Sequence, residues 1–130
     1  MPWVEAFAVF LVSHLAGDFL LQTDWQARHK GGGLGPDPTS RRALAAHITS
    51  YALAFVPALV WLWSEIGAAA LAIGAVIVIP HLVQDDGRPV RWFTAKVKHS
   101  DAPEAVLLTA VDQSLHVLAL FGAALLASAL

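Results

Sequence analysis

The chain has 130 residues, of which 57% are hydrophobic and only 14% charged, where an average soluble domain carries roughly 25% charged residues. Its 8 Lys and Arg against 10 Asp and Glu exclude a basic face for nucleic acid, and the absence of cysteine excludes disulfides, thiolate metal sites and cysteine nucleophiles. Disorder is excluded by the same apolar balance, which leaves a single integral-membrane domain over residues 1–130.

A helix that spans a bilayer needs about 17–25 mostly apolar residues, and four segments reach that length. The first runs from about Trp3 to Gln22 and extends as an element to about residue 25. No Lys or Arg precedes it and no small-x-small site follows it, so it is expected to stay in the mature protein rather than be removed as a signal peptide. A loop rich in Gly and Pro follows, from Arg28 to Arg42. The second segment, about Ala43 to Trp63, is joined by a very short turn at Ser64, Glu65 and Gly67 to the third, about Ile66 to Asp85. Residues 86–103 form the third loop, and the fourth segment covers about Ala105 to Leu130. The expectation is all-α: an antiparallel bundle of four transmembrane helices over about 3–25, 43–63, 66–86 and 104–130. Within the third loop, Pro89 suits a first helical position. Val90, Phe93 and Val97 then share one face opposite Arg91 and Lys98, as in a short helix lying in the headgroup region with Trp92 anchored there.

The basic residues set the orientation. Arg28, Lys30, Arg41 and Arg42 lie in the first loop, and Arg88, Arg91, Lys96 and Lys98 in the third. With four spans these loops share a side, which the positive-inside rule makes cytoplasmic. Both termini then face outward from an inner membrane. Trp3, Trp61 and Trp63 fall at the outer interface, Trp25 and Trp92 at the inner one.

Every span also carries ionisable groups. His14, Asp18 and Gln22 are spaced i, i+4, i+8; His47 and Tyr51 are four apart, as are His81 and Asp85, and Asp112 and His116, with Gln113 adjacent. Such spacings stack side chains on one helix face. An aspartate at bilayer depth costs roughly 2.5–3.5 kcal/mol, so these faces are expected to turn toward one another. Counted from the cytoplasmic ends, Asp18, His47, His81 and Asp112 lie about 8–12 Å deep at ~1.5 Å per residue. His14, Tyr51 and His116 form a layer one turn deeper, and Asp85 lies closest to the water interface. His29 and His99, beside lysines, read as solvated, and Asp24, Asp37, Asp86 and Asp101 as interfacial or loop residues, with Asp86 close enough to Asp85 to share a cation.

The run His14-Leu-Ala-Gly-Asp18-Phe-Leu-Leu-Gln22-Thr-Asp-Trp25, then His47, His81-Leu-Val-Gln-Asp85 and Val111-Asp112-Gln113-Ser-Leu-His116 resembles a bacterial and phage integral-membrane family, the domain of unknown function DUF3307, over nearly the whole chain. The resemblance implies a small membrane domain with matching polar positions and no established activity. The His81-x3-Asp85 element also resembles part of the inner-membrane metal-dependent hydrolases.

Imidazole and carboxylate groups on facing helices are ligands for zinc, manganese or iron. The expected metal ligands are His14, Asp18, His47, His81, Asp85, Asp112 and His116, with Gln22 and Gln113 behind them. Asp18, Asp112 and Tyr51 are the candidates for a catalytic role. An open metal position generates hydroxide near neutral pH, which suits hydrolysis of a lipid-linked or phosphorylated, anionic substrate. Three other readings stay open: a proton- or ion-coupled transporter subunit, a non-catalytic membrane scaffold, and polar residues that only join helices by hydrogen bonds. The small residues Gly67, Ala68, Ala69, Ala70, Ala72, Gly74 and Ala75 allow close contacts within the chain or with a second copy.

Overall fold

A computed structural model describes residues 1–130, and the chain is helical throughout, with no strand. Helix α1 (Trp3–Leu15) continues into one π-helical stretch, Ala16–Leu20. After it come α2 (Asp24–His29), α3 (Pro38–Ala54), α4 (Val56–Ile66), α5 (Ala69–Asp85), α6 (Arg88–Lys96) and α7 (Ala105–Ser128). Two helical segments, Trp3–Leu20 and Ala105–Ser128, are long and apolar enough to cross a membrane. The number rises to four if each of two bent pairs, α3 with α4 and α5 with α6, counts as one span. The apolar helices mark a membrane-associated protein, and the surface agrees: Leu20 is 81% exposed and Val106 78%.

Local chemistry explains the departures from the sequence expectation. The second apolar segment is not one rod but bends by 49° between α3 and α4. Pro57 lies in the first turn of α4, where it has no N–H to offer the carbonyl of Leu53 and its ring crowds that carbonyl. Phe55 therefore closes α3 with a tighter bond to Ala52 O. Helix α3 also begins five residues earlier than Ala43. Asp37 caps it, accepting the Ser40 N–H at 2.7 Å, and Pro38 follows at the first position. That backbone bond and the Ser40 hydroxyl hold the Asp37 carboxyl below the ordinary carboxylate range, so the cap stays charged across neutral pH and is lost only on acidification. The first segment breaks after the π-helical stretch, and Thr23 and Gln26 start α2 with a reciprocal capping box.

The turn between α4 and α5 is as short as expected, with Gly67 at φ 60° and ψ −140°, a conformation that favours glycine. Gly74 packs against α4, where an added Cβ would lie 3.3 Å from Leu59, so this small residue serves contact within the chain. In the third loop a helix does form, set at 66° to α5. Its buried side chains are Val90 and Thr94. Phe93 is partly buried beside them, while Val97 lies beyond the helix end and is half exposed, so the expected face holds at Val90 and Phe93 and stops short of Val97.

The helices alternate in direction about a core divided by chemistry. At the end holding the N-terminus, α4–α5 turn and C-terminus, Phe10, Phe55, Leu62, Ile73 and Leu120 form an apolar cluster with several alanines, and Phe121 takes the edges of Trp3 and Phe7. Toward the other end the buried residues become His14, Asp18, His47, His81, Asp85, Asp86 and His116. The two long loops close over that end and are fastened by Asp86. Contrary to its expected loop exposure, Asp86 is 2% exposed. Gly87, at φ 83°, turns the chain so that Asp86 points inward. There it accepts the Leu34 N–H at 2.8 Å and the Arg88 guanidinium at 2.6 Å, while its carbonyl accepts the Gly32 N–H. Asp86→Ala should release the first loop and cost about 1–3 kcal/mol, chiefly through the orphaned Leu34 amide. Thermal unfolding in detergent and proteolysis at residues 31–35 check this, with cleavage expected to rise in the variant.

A buried histidine and aspartate cluster

Four side chains from three helical segments bring one atom each to a common point. Asp18 arrives from the π-helical stretch, His47 from α3, and His81 and Asp85 from α5. Asp18 Oδ1 lies 3.2 Å from His47 Nε2 and 3.3 Å from His81 Nε2. Asp85 Oδ2 lies 2.7 Å from His47 Nε2 and 3.1 Å from His81 Nε2, and the two imidazole nitrogens face each other at 3.1 Å. All four residues are buried. Around an ion with ligands at 2.0–2.1 Å, the edge of a tetrahedron is about 3.3–3.4 Å. Four of the six edges here, at 3.1–3.3 Å, are near that length, while the His47–Asp85 edge at 2.7 Å is well short of it.

The sequence places these residues there for local reasons. The i, i+4 pair on α5 puts His81 and Asp85 one turn apart on a single face. Pro80 sits just before His81 within the helix. The π-helical turn carries one extra residue per turn and so re-aims Asp18, a common use of such turns at functional sites. Gly17, beside it, admits the neighbouring helix: an added Cβ would lie 2.7 Å from the Tyr51 ring. Tyr51 in turn stacks flat on His81, with centroids 3.4 Å apart and planes within 7°, which fixes that imidazole.

Asp85 is the hub of a second grouping. Its Oδ1 lies 3.3 Å from His116 Nε2 on α7. Ligand atoms of Asp85, Asp112 and His116 all fall within 4.8 Å of one another, as do those of Asp18, His47, His81 and Asp85. The expected depth grouping, Asp18 with His47, His81 and Asp112, is thus rearranged, with Asp85 at the centre and Asp112 beside His116. His14 joins neither group. Its Nδ1 lies 3.1 Å from the Tyr51 hydroxyl and its Nε2 3.0 Å from Gln113 Oε1. With both ring nitrogens engaged, it stands behind the converging atoms.

Gln113 orders the carboxylates. Its Nε2 donates to Asp18 Oδ2 and to Asp112 Oδ2, both at 3.2 Å, which leaves the other oxygen of each free to face the cluster. Gln22 is less central, donating to the main-chain carbonyl of Asp18 at 3.1 Å. The outer nitrogens, Nδ1 of His47 and of His81, are buried without a hydrogen-bond partner from the chain.

Lys30 is the participant that sequence reading passed over as a topology-setting charge. Its Nζ donates to Asp85 Oδ2 at 2.8 Å. Only its position just after α2 could have signalled this, because a helix bending back over the bundle brings that ammonium above the cluster. Beside it opens a cavity of about 250 Å³ lined by Lys30, Arg91, Thr109, Leu108, Asp85 and Asp112. Of the three catalytic candidates, Asp112 lines this cavity, and Asp18 and Tyr51 do not.

The sequence matches the family described as a protein of unknown function, DUF3307, over residues 6–129. The chain belongs to that family. No curated protein and no solved structure matches it.

The close approach at Gly17 gives a direct test of how the cluster is held. Gly17→Ala should displace Tyr51 from His81 and destabilise the protein by about 1–3 kcal/mol through overpacking. Gly122→Ala, whose Cβ meets nothing within 4 Å, should leave the melting temperature unchanged or raise it. Equal melting of the two variants would contradict the packing described.

Proposed function

We propose that this is a four-span protein of the inner membrane that binds a divalent metal ion, zinc, manganese or iron, in its cytoplasmic half. The observation that carries the reading is the convergence of Asp18 Oδ1, His47 Nε2, His81 Nε2 and Asp85 Oδ2 within 4.8 Å of one another, with four of their distances near a tetrahedral edge. Hydrogen bonding alone serves this arrangement poorly. Asp18 Oδ1 has no satisfactory donor, and two carboxylates enclosed together repel unless cations neutralise both, whereas the Lys30 ammonium reaches Asp85 alone. Interhelical hydrogen bonds in membranes average only about 0.6 kcal/mol, little return for several buried ionisable groups.

The cavity beside the cluster extends the reading to chemistry. Lys30 and Arg91 offer cations to an anionic group, with Asp85 and Asp112 at the same opening. A volume of about 250 Å³ accommodates a phosphoryl group. A divalent ion with an open coordination position would supply a polarised phosphoryl oxygen and a water acidic enough to attack near neutral pH. The reaction that fits is hydrolysis of a phosphorylated or lipid-linked substrate. Water adds to phosphorus, the bond to the ester oxygen breaks, and the leaving alcohol takes a proton. Trp25 and Trp92, each exposed at this end of the bundle, suit the inner headgroup region, where the cavity meets lipid-borne substrates. A transporter fits less well, since the apolar cluster of Phe10, Phe55, Leu62, Ile73 and Leu120 closes the other half of the bundle.

A two-step titration tests the metal reading. Zinc should bind the chelator-stripped, detergent-purified protein, and inorganic phosphate should then bind only the loaded form. Asp18→Asn keeps the shape of the side chain and removes an anionic ligand, so zinc affinity should fall at least tenfold. Undiminished zinc binding in Asp18→Asn and His81→Ala, or none in the wild type, would refute the assignment.

The orientation has its own check. Single cysteines replacing Leu34 or Ala95 should resist an impermeant thiol reagent in intact cells, while one replacing Ser64 should react. The reverse pattern would place the cavity on the outer side.

A further inference from the structure

His116 carries a lone pair that no group in the chain satisfies. Its Nδ1 lies 2.7 Å from the main-chain carbonyl of Asp112. A carbonyl only accepts, so Nδ1 holds the proton. In the neutral ring Nε2 is then a bare acceptor, and it is buried without a hydrogen-bond partner. It faces Asp85 Oδ1 at 3.3 Å, and that oxygen is likewise buried and without a donor. Two acceptors cannot face each other in a buried site without a positive charge shared between them, either a second proton on the ring or a cation.

Asp112 decides which. A hydrogen-bonded imidazolium needs only Asp85, yet Asp112 is also brought in: its Oδ1 lies 3.6 Å from His116 Nδ1, and its ligand atom falls within 4.8 Å of those of Asp85 and His116. Its side chain is 26% exposed and lines the cavity together with Asp85. Gln113 Nε2 occupies Asp112 Oδ2 and leaves Oδ1, 3.6 Å from His116 Nδ1, without a hydrogen bond. The result is a three-ligand set of two carboxylates and one imidazole, open on the cavity side.

We propose a second divalent-cation position formed by Asp85 Oδ1, His116 Nε2 and Asp112, with Asp85 bridging it to the first. This rests on the metal reading above and divides its labour. The first position has four protein ligands and is closed; the second has three and an open side. That is the distinction between structural and catalytic zinc sites, and a carboxylate-bridged pair is how two-metal hydrolases hold both oxygens of a displacement. The open position faces the same cavity as Lys30 and Arg91, so a substrate phosphoryl oxygen or a water completes its coordination. The closed position fixes the bridging carboxylate.

Cobalt(II) titration of the chelator-stripped full chain in detergent, followed by visible absorption, separates the possibilities. The wild type should take up two equivalents, the first giving intense tetrahedral bands and the second weaker ones. Asp112→Asn, at a partly exposed position, and His116→Gln should each stop at one equivalent and keep the tetrahedral bands. Asp85→Asn should weaken both steps. A wild type that saturates at one equivalent, or two equivalents retained in both Asp112→Asn and His116→Gln, would overturn the second position and leave the first standing. A wild type that binds no cobalt would overturn both.

Discussion

The carboxylate of Asp85 is the constraint around which this molecule is organised. It is 4% exposed, and an isolated carboxylate in such a place costs several kcal/mol after every relaxation. Its compensation comes from four separate parts of the chain. Oδ2 faces His47 of α3, His81 of its own helix and the Lys30 ammonium from the first loop, while Oδ1 faces His116 of α7. The three partners outside α5 each require a particular neighbour for it, so the electrostatics of one group fixes the helix arrangement at this end. Asp86 adds the complementary restraint one residue later, binding the first loop to the third through Leu34 and Arg88.

The same bundle therefore does two jobs along its length. At one end, alanines and large apolar side chains pack closely and need no further partner. At the other, polar groups crowd together and are left with unsatisfied atoms facing inward, including Asp18 Oδ1, Asp85 Oδ1 and His116 Nε2. A soluble protein turns polar groups outward and apolar ones inward. Here much of the exterior is apolar, as at Leu20, Val12 and Val106, and the charge is within. A rigid apolar half supporting a polar half suits a site whose ligands must be held in place before a cation arrives.

The chemistry of the site was legible in the sequence wherever helix geometry alone controls it. The pairs His81 with Asp85 and Asp112 with His116 share a face because they are four apart on a continuous helix, and the helices carry them as expected. What was not legible depends on breaks and on returning loops. The π-helical turn at Ala16–Leu20 re-aims Asp18 and the bend at Phe55 follows from Pro57; the first has no periodic signature, and the second was hidden in an apolar run of spanning length. Depth counted along ideal helices put Asp85 near water, yet the loop that carries Lys30 folds back and covers it. Asp86 reads as an ordinary loop carboxylate until Gly87 turns it inward. Such closures are tertiary, and neither hydropathy nor spacing encodes them.

The central claim is that divalent metal, and not a proton, neutralises the buried carboxylates. X-ray absorption spectroscopy on protein purified without added metal or chelator tests it most directly. The account predicts a tightly held divalent ion with a nitrogen and oxygen shell at about 2.0–2.1 Å, and outer-shell scattering from imidazoles that is lost in His47→Ala and His81→Ala. Protein free of metal, or an ion whose spectrum lacks imidazole scattering and is unchanged in those variants, would contradict it.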